Sequence, residues 1–264
     1  LPAENLGAHI KDDALITTTT CYACFGSNTG ELKVDGQPVE KEGYRFERCS
    51  DCALVYVAPM PMDEVIRAFY QDYHKSHQYK NKLDSKIRRA RNRIRQANLW
   101  RRTGSFLDVG CNVGFAVEAA RTLGFRAKGI DVDTDGIDAA MGQFPHCEFE
   151  NIGIEALAER GETYDFLYCS EVIEHLSSVD RFLRGIAGVM HQDSLLLMTT
   201  PDMGHRSLPK SWRELVEWDS VRPPEHLLYF YRSSLRAALE RNGLCVKRFQ
   251  FSTKPTMKVL VTKA

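Results

Sequence analysis

The stretch Ser105-Phe106-Leu107-Asp108-Val109-Gly110-Cys111-Asn112-Val113-Gly114-Phe115 constrains the fold more than any other part of the chain. A short apolar run ends in Asp-x-Gly-x-Asn-x-Gly, and a helical spacing of Ala116, Val117, Ala119, Ala120 and Leu123 follows at once. This pattern predicts a buried strand, a tight turn and a helix start. Gly110 and Gly114 supply backbone angles that a Cβ disfavours and let a ligand approach the main chain closely. Amide groups at the helix start face that ligand. About twenty residues further on, Ala127-Lys128-Gly129-Ile130-Asp131 reads as a second strand closed by an acid, which at that place suits a pair of ribose hydroxyls. A glycine turn followed by such an acid points to a nucleoside cofactor.

Two kinds of cofactor compete for a turn of this sort. A dinucleotide site uses Gly-x-Gly-x-x-Gly, whose glycines admit a pyrophosphate. Here Asp108 stands at the strand tip, where an anion would repel a pyrophosphate but would suit an ammonium. The pattern resembles motif I of class I S-adenosylmethionine (SAM) methyltransferases, usually Asp/Glu-x-Gly-x-Gly-x-Gly. Asn112 replaces the middle glycine, and Asn visits the left-handed region more readily than most residues. The resemblance implies that Asp108, Gly110, Cys111, Asn112 and Gly114 flank the methionine part of SAM, and that Asp131 holds the ribose with Val132 beside the adenine. It also implies a backbone or apolar adenine contact at Ile154, with Ser170 and Glu171 near the sulfonium end.

Strand and helix patterns alternate beyond Asp131. Strands are expected at Cys147–Glu150, Tyr164–Cys169 and Ser194–Thr200, with helices over 134–144, 180–190 and 233–242, the last stopped by Gly243. Such alternation implies a parallel sheet with right-handed crossovers. The last two strands, Cys245–Gln250 and Met257–Thr262, have only a short turn between them and must pair antiparallel. The expected fold is therefore α/β, a seven-stranded, doubly wound, Rossmann-like sheet with an antiparallel last strand, which resembles the class I methyltransferase sheet over roughly residues 62–264.

A small N-terminal module precedes this core. Cys21-x-x-Cys24 and Cys49-x-x-Cys52 can each sit on a knuckle and offer two thiolates to one tetrahedral ion, the pattern of structural zinc. Residues 15–60 are read as a zinc ribbon with short strands around Glu31–Val34 and Tyr44–Arg48, serving as scaffold, substrate lid or partner contact. The remaining cysteines, Cys111, Cys147, Cys169 and Cys245, read as free thiols in apolar surroundings.

Residues 61–103 form a helical linker between ribbon and core at 104–264. Asp63 can cap a helix, Tyr70, Tyr73 and Tyr79 cluster near its end, and a basic amphipathic helix follows. In that helix Leu83, Ile87, Ala90, Ile94 and Ala97 form one stripe, while Lys80, Lys82, Lys86, Arg88, Arg89, Arg91, Arg93, Arg95, Arg101 and Arg102 fill the rest. This face is either a solvated surface or a platform for an anionic partner, such as a phosphorylated or nucleotide-linked acceptor or RNA. A formal net charge of zero opposes a generic nucleic-acid binder. No apolar run approaches a membrane span, and a cytoplasmic setting is expected.

The second informative motif is Glu171-Val172-Ile173-Glu174-His175. A helical turn starting there would put Glu171 and His175 on one face, at the carboxyl end of a strand where open α/β sheets place ligands. His175 is a candidate base, with Glu174 and a later histidine, His226, as partners. The spacing resembles ubiquinone-biosynthesis O-methyltransferases and small-RNA 2′-O-methyltransferases. In the latter it holds a divalent ion against the substrate hydroxyls. The insertion 202–224, with Trp212, Trp218 and His205, is read as an acceptor lid, its tryptophans serving as pocket wall or as simple packing. A zinc ribbon before such a core also resembles bacterial methyltransferases of sugars, surface glycans and natural products. The expected activity is methyl transfer from SAM to a hydroxyl or amine of a small, anionic or sugar-type acceptor. The alternatives are RNA 2′-O-methylation through a Glu171/Glu174/His175/His226 metal site, and a non-enzymatic interaction protein with a vestigial SAM site.

Overall fold

The computed structural model describes residues 15–16, 18–62, 66, 83–98 and 103–264. The expected Asp63 cap, the tyrosines Tyr70, Tyr73 and Tyr79, and the cations Lys80, Lys82, Arg101 and Arg102 lie outside the described residues. Strands of the ribbon are β1 (Thr29–Glu31), β2 (Tyr44–Cys49) and β3 (Val55–Val57). The core begins with α1 (Leu83–Ala97), β4 (Ser105–Val109), α2 (Phe115–Arg121), β5 (Arg126–Asp131), α3 (Thr134–Gln143) and β6 (Glu148–Asn151). It continues through α4 (Ile154–Ala158), β7 (Tyr164–Ser170), a 3₁₀ turn (Ile173–His175), α5 (Val179–Gly188) and β8 (Met190–Pro201). The chain closes with α6 (Trp212–Leu215), β9 (Leu228–Tyr229), α7 (Arg232–Arg241), β10 (Leu244–Phe249) and β11 (Thr256–Lys263).

The large sheet has seven strands in the order β6-β5-β4-β7-β8-β11-β10. β6, β5, β4, β7 and β8 run parallel, and β11 pairs antiparallel with both β8 and β10. The antiparallel close follows from the short turn before β11, which has no room for a crossover helix. Strand order reverses beside β4, so the carboxyl ends of β4 and β7 open a crevice.

Helices cover both faces because the strands are apolar on both. On one face Ala90, Ile94 and Ala97 of α1 meet Phe106, Phe166, Tyr168, Leu197 and Leu260, with Leu83 and Ile87 half-buried, as the sequence stripe requires. On the other face Leu183 and Ile186 of α5 and Leu235 and Leu239 of α7 join Leu107, Leu167, Leu196 and Val259. Helix α4, for which the sequence reading has no counterpart, packs so tightly on α5 that a Cβ on Gly185 would lie 3.1 Å from Ile154 Cγ2.

The ribbon does not close on itself. Its sheet runs β9-β3-β2-β1, so the edge strand comes from the far end of the chain. Phe46 of β2 packs against Tyr229 and Trp212, with ring centroids 5.5 and 5.9 Å away. Ser233 Oγ donates to the Cys52 carbonyl at 2.7 Å, and Arg241 Nε donates to the Ala23 carbonyl at 3.0 Å. One buried cluster includes Cys21 and Cys49 of this module together with Leu107, Leu239 and Val261 of the core.

Candidate active site

At the end of β4, backbone sterics shape the turn. Gly110, Asn112 and Gly114 have φ of 76°, 48° and 82°, the left-handed region that glycine enters freely and asparagine with modest cost. The Gly110 and Cys111 amides both donate to the Ile130 carbonyl, at 2.9 and 3.0 Å, which ties the turn to β5. A Cβ on Gly110 would lie 2.5 Å from Val172 Cγ2. Gly110→Ala is therefore expected to destabilise the fold by about 1–3 kcal/mol, read as a lowered urea midpoint.

Asp131 lies where the turn and the second strand meet. Its Oδ2 accepts from the Asn112 amide at 2.7 Å and its Oδ1 from the Asp133 amide at 3.0 Å. These bonds fix the carboxylate and leave each oxygen a further lone pair. Burial raises the Asp131 pKa, and the two amides pull it back. Asp108 is almost fully buried, and burial, then the Asp131 charge, push its pKa well above the carboxylate range. A buried acid that feels a second carboxylate favours a nearby cation or hydroxyl donor. Val132 is 73% exposed although apolar, a free face beside the acid. Ile154, by contrast, is 2% exposed and turned into the packing of α4 on α5, so its side chain does not face the crevice.

The crevice continues past β7. Ser170 Oγ and Thr199 Oγ1 lie 2.8 Å apart, and Thr199 Oγ1 is 2.7 Å from Glu171 Oε1. Glu171 has φ of 57°, so the chain turns sharply here. The expected helical turn is instead the 3₁₀ turn Ile173–His175, and Glu171 stands before it. Glu171 and His175 therefore do not share a helical face; the residue that joins His175 is Glu174.

Glu174 is fully buried, with Oε2 accepting from Thr200 Oγ1 at 2.9 Å. Its Oε1 has no hydrogen-bond partner among the described residues. Burial, then the charge of Glu171, raise the Glu174 pKa well above its ordinary value. His175 Nδ1 donates to the Glu225 carbonyl at 2.6 Å, and His226 Nδ1 donates to the Ser220 carbonyl at 2.7 Å. Both assignments place the proton on Nδ1 and the lone pair on Nε2, which in His226 lies 3.4 Å from Arg222 Nη2. The two rings meet edge to face at 4.6 Å, and His175 Nε2 is 3.9 Å from Glu174 Oε1. Burial first pushes His175 down to about 4 and His226 down to about 2, so both imidazoles are neutral near pH 7. One ligand atom from each of Glu174, His175 and His226 lies within 4.8 Å of the others. An orphaned buried carboxylate oxygen and two imidazoles held in the right tautomer form a donor set that fits a divalent cation.

The strand β9 explains how His226 arrives there. The Leu227 amide donates to the Glu174 carbonyl at 2.8 Å, and its own carbonyl accepts from the Val57 amide at 2.9 Å. Leu228 and Tyr229 then pair with Tyr56 and Val55. Thr199, Thr200 and the Ser220 and Glu225 carbonyls are participants that sequence reasoning missed. The visible signal was Thr199-Thr200, a polar pair at the end of an otherwise apolar strand.

The four ribbon cysteines converge as well. Cys21 and Cys52 Sγ are 3.5 Å apart, Cys24 and Cys49 Sγ 3.6 Å, and all four lie within 4.8 Å of one another, too far for disulfides and close enough for one ion. The two knuckles repeat one geometry. The Phe25 and Ala53 amides donate to the Cys21 and Cys49 carbonyls at 3.0 and 2.9 Å, and both residues have positive φ, 59° and 68°. Amides of Ala23 and Gly26 donate to Cys21 and Cys24 Sγ at 3.4 Å. Trp212, in the expected lid, is buried between Phe46 and Tyr229, and so packs the ribbon instead of lining an open pocket.

Comparison with known proteins adds a family. A profile described as "Methyltransferase domain" matches residues 77–247, more than half of the chain. A ubiquinone biosynthesis O-methyltransferase of Rhodopseudomonas palustris (strain BisA53) is 30% identical over 156 residues, 52% of this chain and 60% of that protein. The protein of the same description from Burkholderia ambifaria (strain MC40-6) is 28% identical over 178 residues, 59% of this chain and 75% of that one. Among solved structures, the PH0226 protein of Pyrococcus horikoshii OT3 has a TM-score of 0.57 at 15% identity, covering 73% of this chain and 99% of that one. The mitomycin 7-O-methyltransferase MmcR has a TM-score of 0.54 at 20% identity, covering 66% and 53%. At such identities the structural likeness concerns the fold.

Proposed function

Since this chain belongs to the methyltransferase-domain family and is an enzyme of that kind, we propose that it transfers the methyl of SAM to a hydroxyl of a small acceptor of glycan or natural-product type. SAM, when bound, supplies a methyl already activated for in-line displacement. Asp131 and Asn112 set the ribose end, with Val132 beside the adenine. Asp108, Gly110, Cys111 and Gly114 flank the methionine end, and Ser170 and Glu171 lie toward the sulfonium. The observation that carries the reading is the Asp131 carboxylate, clamped by two backbone amides at the carboxyl end of β5 beside an open apolar face.

Glu174, His175 and His226 are assigned to the acceptor. A divalent cation in this donor set would lower the pKa of a coordinated hydroxyl. Where the site holds no cation, His175, neutral at working pH, has its Nε2 lone pair toward the same place and is the candidate group to take the proton; a lone pair committed to an ion cannot serve as that base. Hydroxyl transfer is the preferred reading over amine transfer because this machinery serves a proton that a hydroxyl must lose, and because the two similar curated proteins are O-methyltransferases. The same donor set also suits the vicinal hydroxyls at an RNA end, the second reading. The ribbon cysteines Cys21, Cys24, Cys49 and Cys52 are proposed as a structural zinc site. Among the described residues no helix is long and apolar enough to cross a membrane.

Calorimetric titration with SAM tests the core of this proposal. Asp131→Ala is expected to weaken SAM binding about 10- to 100-fold, the loss of hydrogen bonds to a charged group. Equal affinity of variant and parent would overturn the cofactor assignment. Turnover of short RNA oligonucleotides, with none of sugar or other small hydroxyl acceptors, would transfer the proposal to RNA.

A further inference from the structure

A second cluster of chemistry-bearing side chains lies at the opposite end of the sheet from the crevice. Cys147 directly precedes β6, which runs parallel to β5 and β4, so the turn His146-Cys147 stands at the amino ends of these strands. Glu118 meets it from α2, the helix that starts after Gly114. The Cys147 amide donates to the Phe144 carbonyl at 2.9 Å, and Phe144 and Phe149 share one buried cluster with Val117 of α2. These contacts hold the turn and the helix in a fixed relation.

One oxygen of Glu118 has more donors around it than lone pairs. Its Oε2 lies 2.7 Å from Arg121 Nε, 3.0 Å from His146 Nε2 and 3.5 Å from Cys147 Sγ, while Oε1 accepts from Arg121 Nη2 at 3.0 Å. A carboxylate oxygen offers two lone pairs, so with Arg121 on one of them the imidazole and the thiol contend for the other. An ion ends that contest, because an imidazole and a thiolate then present lone pairs instead of protons. Around tetrahedral zinc, neighbouring N, O and S ligand atoms are about 3.3–3.6 Å apart. Here the three atoms lie within 4.8 Å of one another, and the two separations from Glu118 Oε2 are already near that length. The bond from Arg121, acting against burial, pulls the Glu118 pKa down to about 2 and keeps the carboxylate ionised. The neighbouring cation Lys128 is matched by Glu148 and Glu150 at 3.2 and 2.8 Å. The His146 side chain is 51% exposed. With Cys147 it borders an open groove of about 690 Å³, lined also by Phe125, Arg126 and Glu148, through which an ion can enter.

We propose that Glu118, His146 and Cys147 bind a divalent ion of the zinc class, at a site separate from the ribbon cysteines and from Glu174, His175 and His226. One carboxylate, one imidazole and one thiolate are donor types that suit zinc, and solvent takes the fourth position. Arg121 stays on the carboxylate and orients it. Burial, then the bond to Glu118, push the Cys147 thiol up to about 11, so uptake of the ion releases that proton to solvent. The ion fastens α2 to the turn before β6, a clamp on the helix whose other end begins at the Gly110–Gly114 turn.

The test titrates Co²⁺ into the full protein, first supplied with one equivalent of zinc for the four ribbon cysteines. Charge transfer from a thiolate to cobalt gives a near-ultraviolet absorption band, which the sulfur-free Glu174–His175–His226 set does not produce. A saturable band is expected in the parent and none in Cys147→Ser. In His146→Ala the titration should move to at least about tenfold higher Co²⁺. Cys245→Ser, the loss of another half-buried thiol, should keep the whole band. Because the His146 ring is exposed, its variant keeps the test decisive even if Cys147→Ser folds poorly. Three results would overturn the proposal. They are no band in the parent, a band of equal size in Cys147→Ser (as displacement of ribbon zinc would give), and an unshifted titration in His146→Ala, which would leave a lone thiol contact.

Discussion

His226→Ala is expected to lower kcat/KM about 10²- to 10⁴-fold while the dissociation constant for SAM stays within about twofold. The ring stands at the acceptor end, 4.6 Å from His175, and no described contact joins it to the Asp108–Asp131 turn. Replacing it removes one donor of three and opens a buried void beside Glu174, whose Oε1 is already without a hydrogen bond. A Mn²⁺ titration followed by electron paramagnetic resonance separates two roles for the site. Loss of a stoichiometric Mn²⁺ signal in His226→Ala and Glu174→Gln means that the donor set holds a cation. An activity loss with no Mn²⁺ bound by the parent would leave His175 and Glu174 as proton-handling groups without an ion. Unchanged activity in both variants would remove this constellation from the chemistry.

The second large effect is expected far from the crevice. Cys49→Ser, or treatment with a strong zinc chelator, should abolish turnover of acceptor with the SAM affinity lowered much less. If the four cysteines hold a zinc ion as proposed, its loss would free both knuckles and loosen the module. Its sheet includes β9, and β9 is continuous with Leu227, whose amide holds the Glu174 carbonyl and which follows His226 directly. Unfolding the ribbon thus releases the strand that sets His226, whereas the Asp108–Asp131 turn rests on β4 and β5. Separate calorimetry of SAM binding and a turnover assay check the split. Equal loss of both would mean that the ribbon holds up the whole sheet, and loss of neither would make it dispensable.

The sheet and the cofactor end were legible because their signals are local. Asp108, Gly110, Asn112, Gly114 and Asp131 are fixed by turn sterics and strand length, and the α1 stripe by helical period. The acceptor end was legible only in part. Glu174 and His226 could be named, but a 3₁₀ turn and an α-helical turn look alike over three residues, so Glu171 was given a place that the backbone does not allow. Strand β9 has two residues and no period to read; it exists because β3 offers an edge. Sequence alone left Trp212 as pocket wall or packing, because its segment is long and irregular; its indole N–H reaches Tyr231 OH at 3.1 Å inside a packed cluster.

The pairing of Tyr56 with Leu228 also sets a timetable for biosynthesis. A ribosome delivers the four cysteines early, so the knuckles can capture an ion while most of the chain is still unmade. The sheet beside them must wait with a bare edge until Leu228 and Tyr229 emerge. An open strand edge is a template for pairing with other chains. A nascent or truncated product ending before Leu228 would therefore carry the cysteine module with a sticky flank. Excising the N-terminal segment for separate expression would reproduce that state permanently, so soluble production of the ribbon calls for a supplied copy of the Leu227–Phe230 strand.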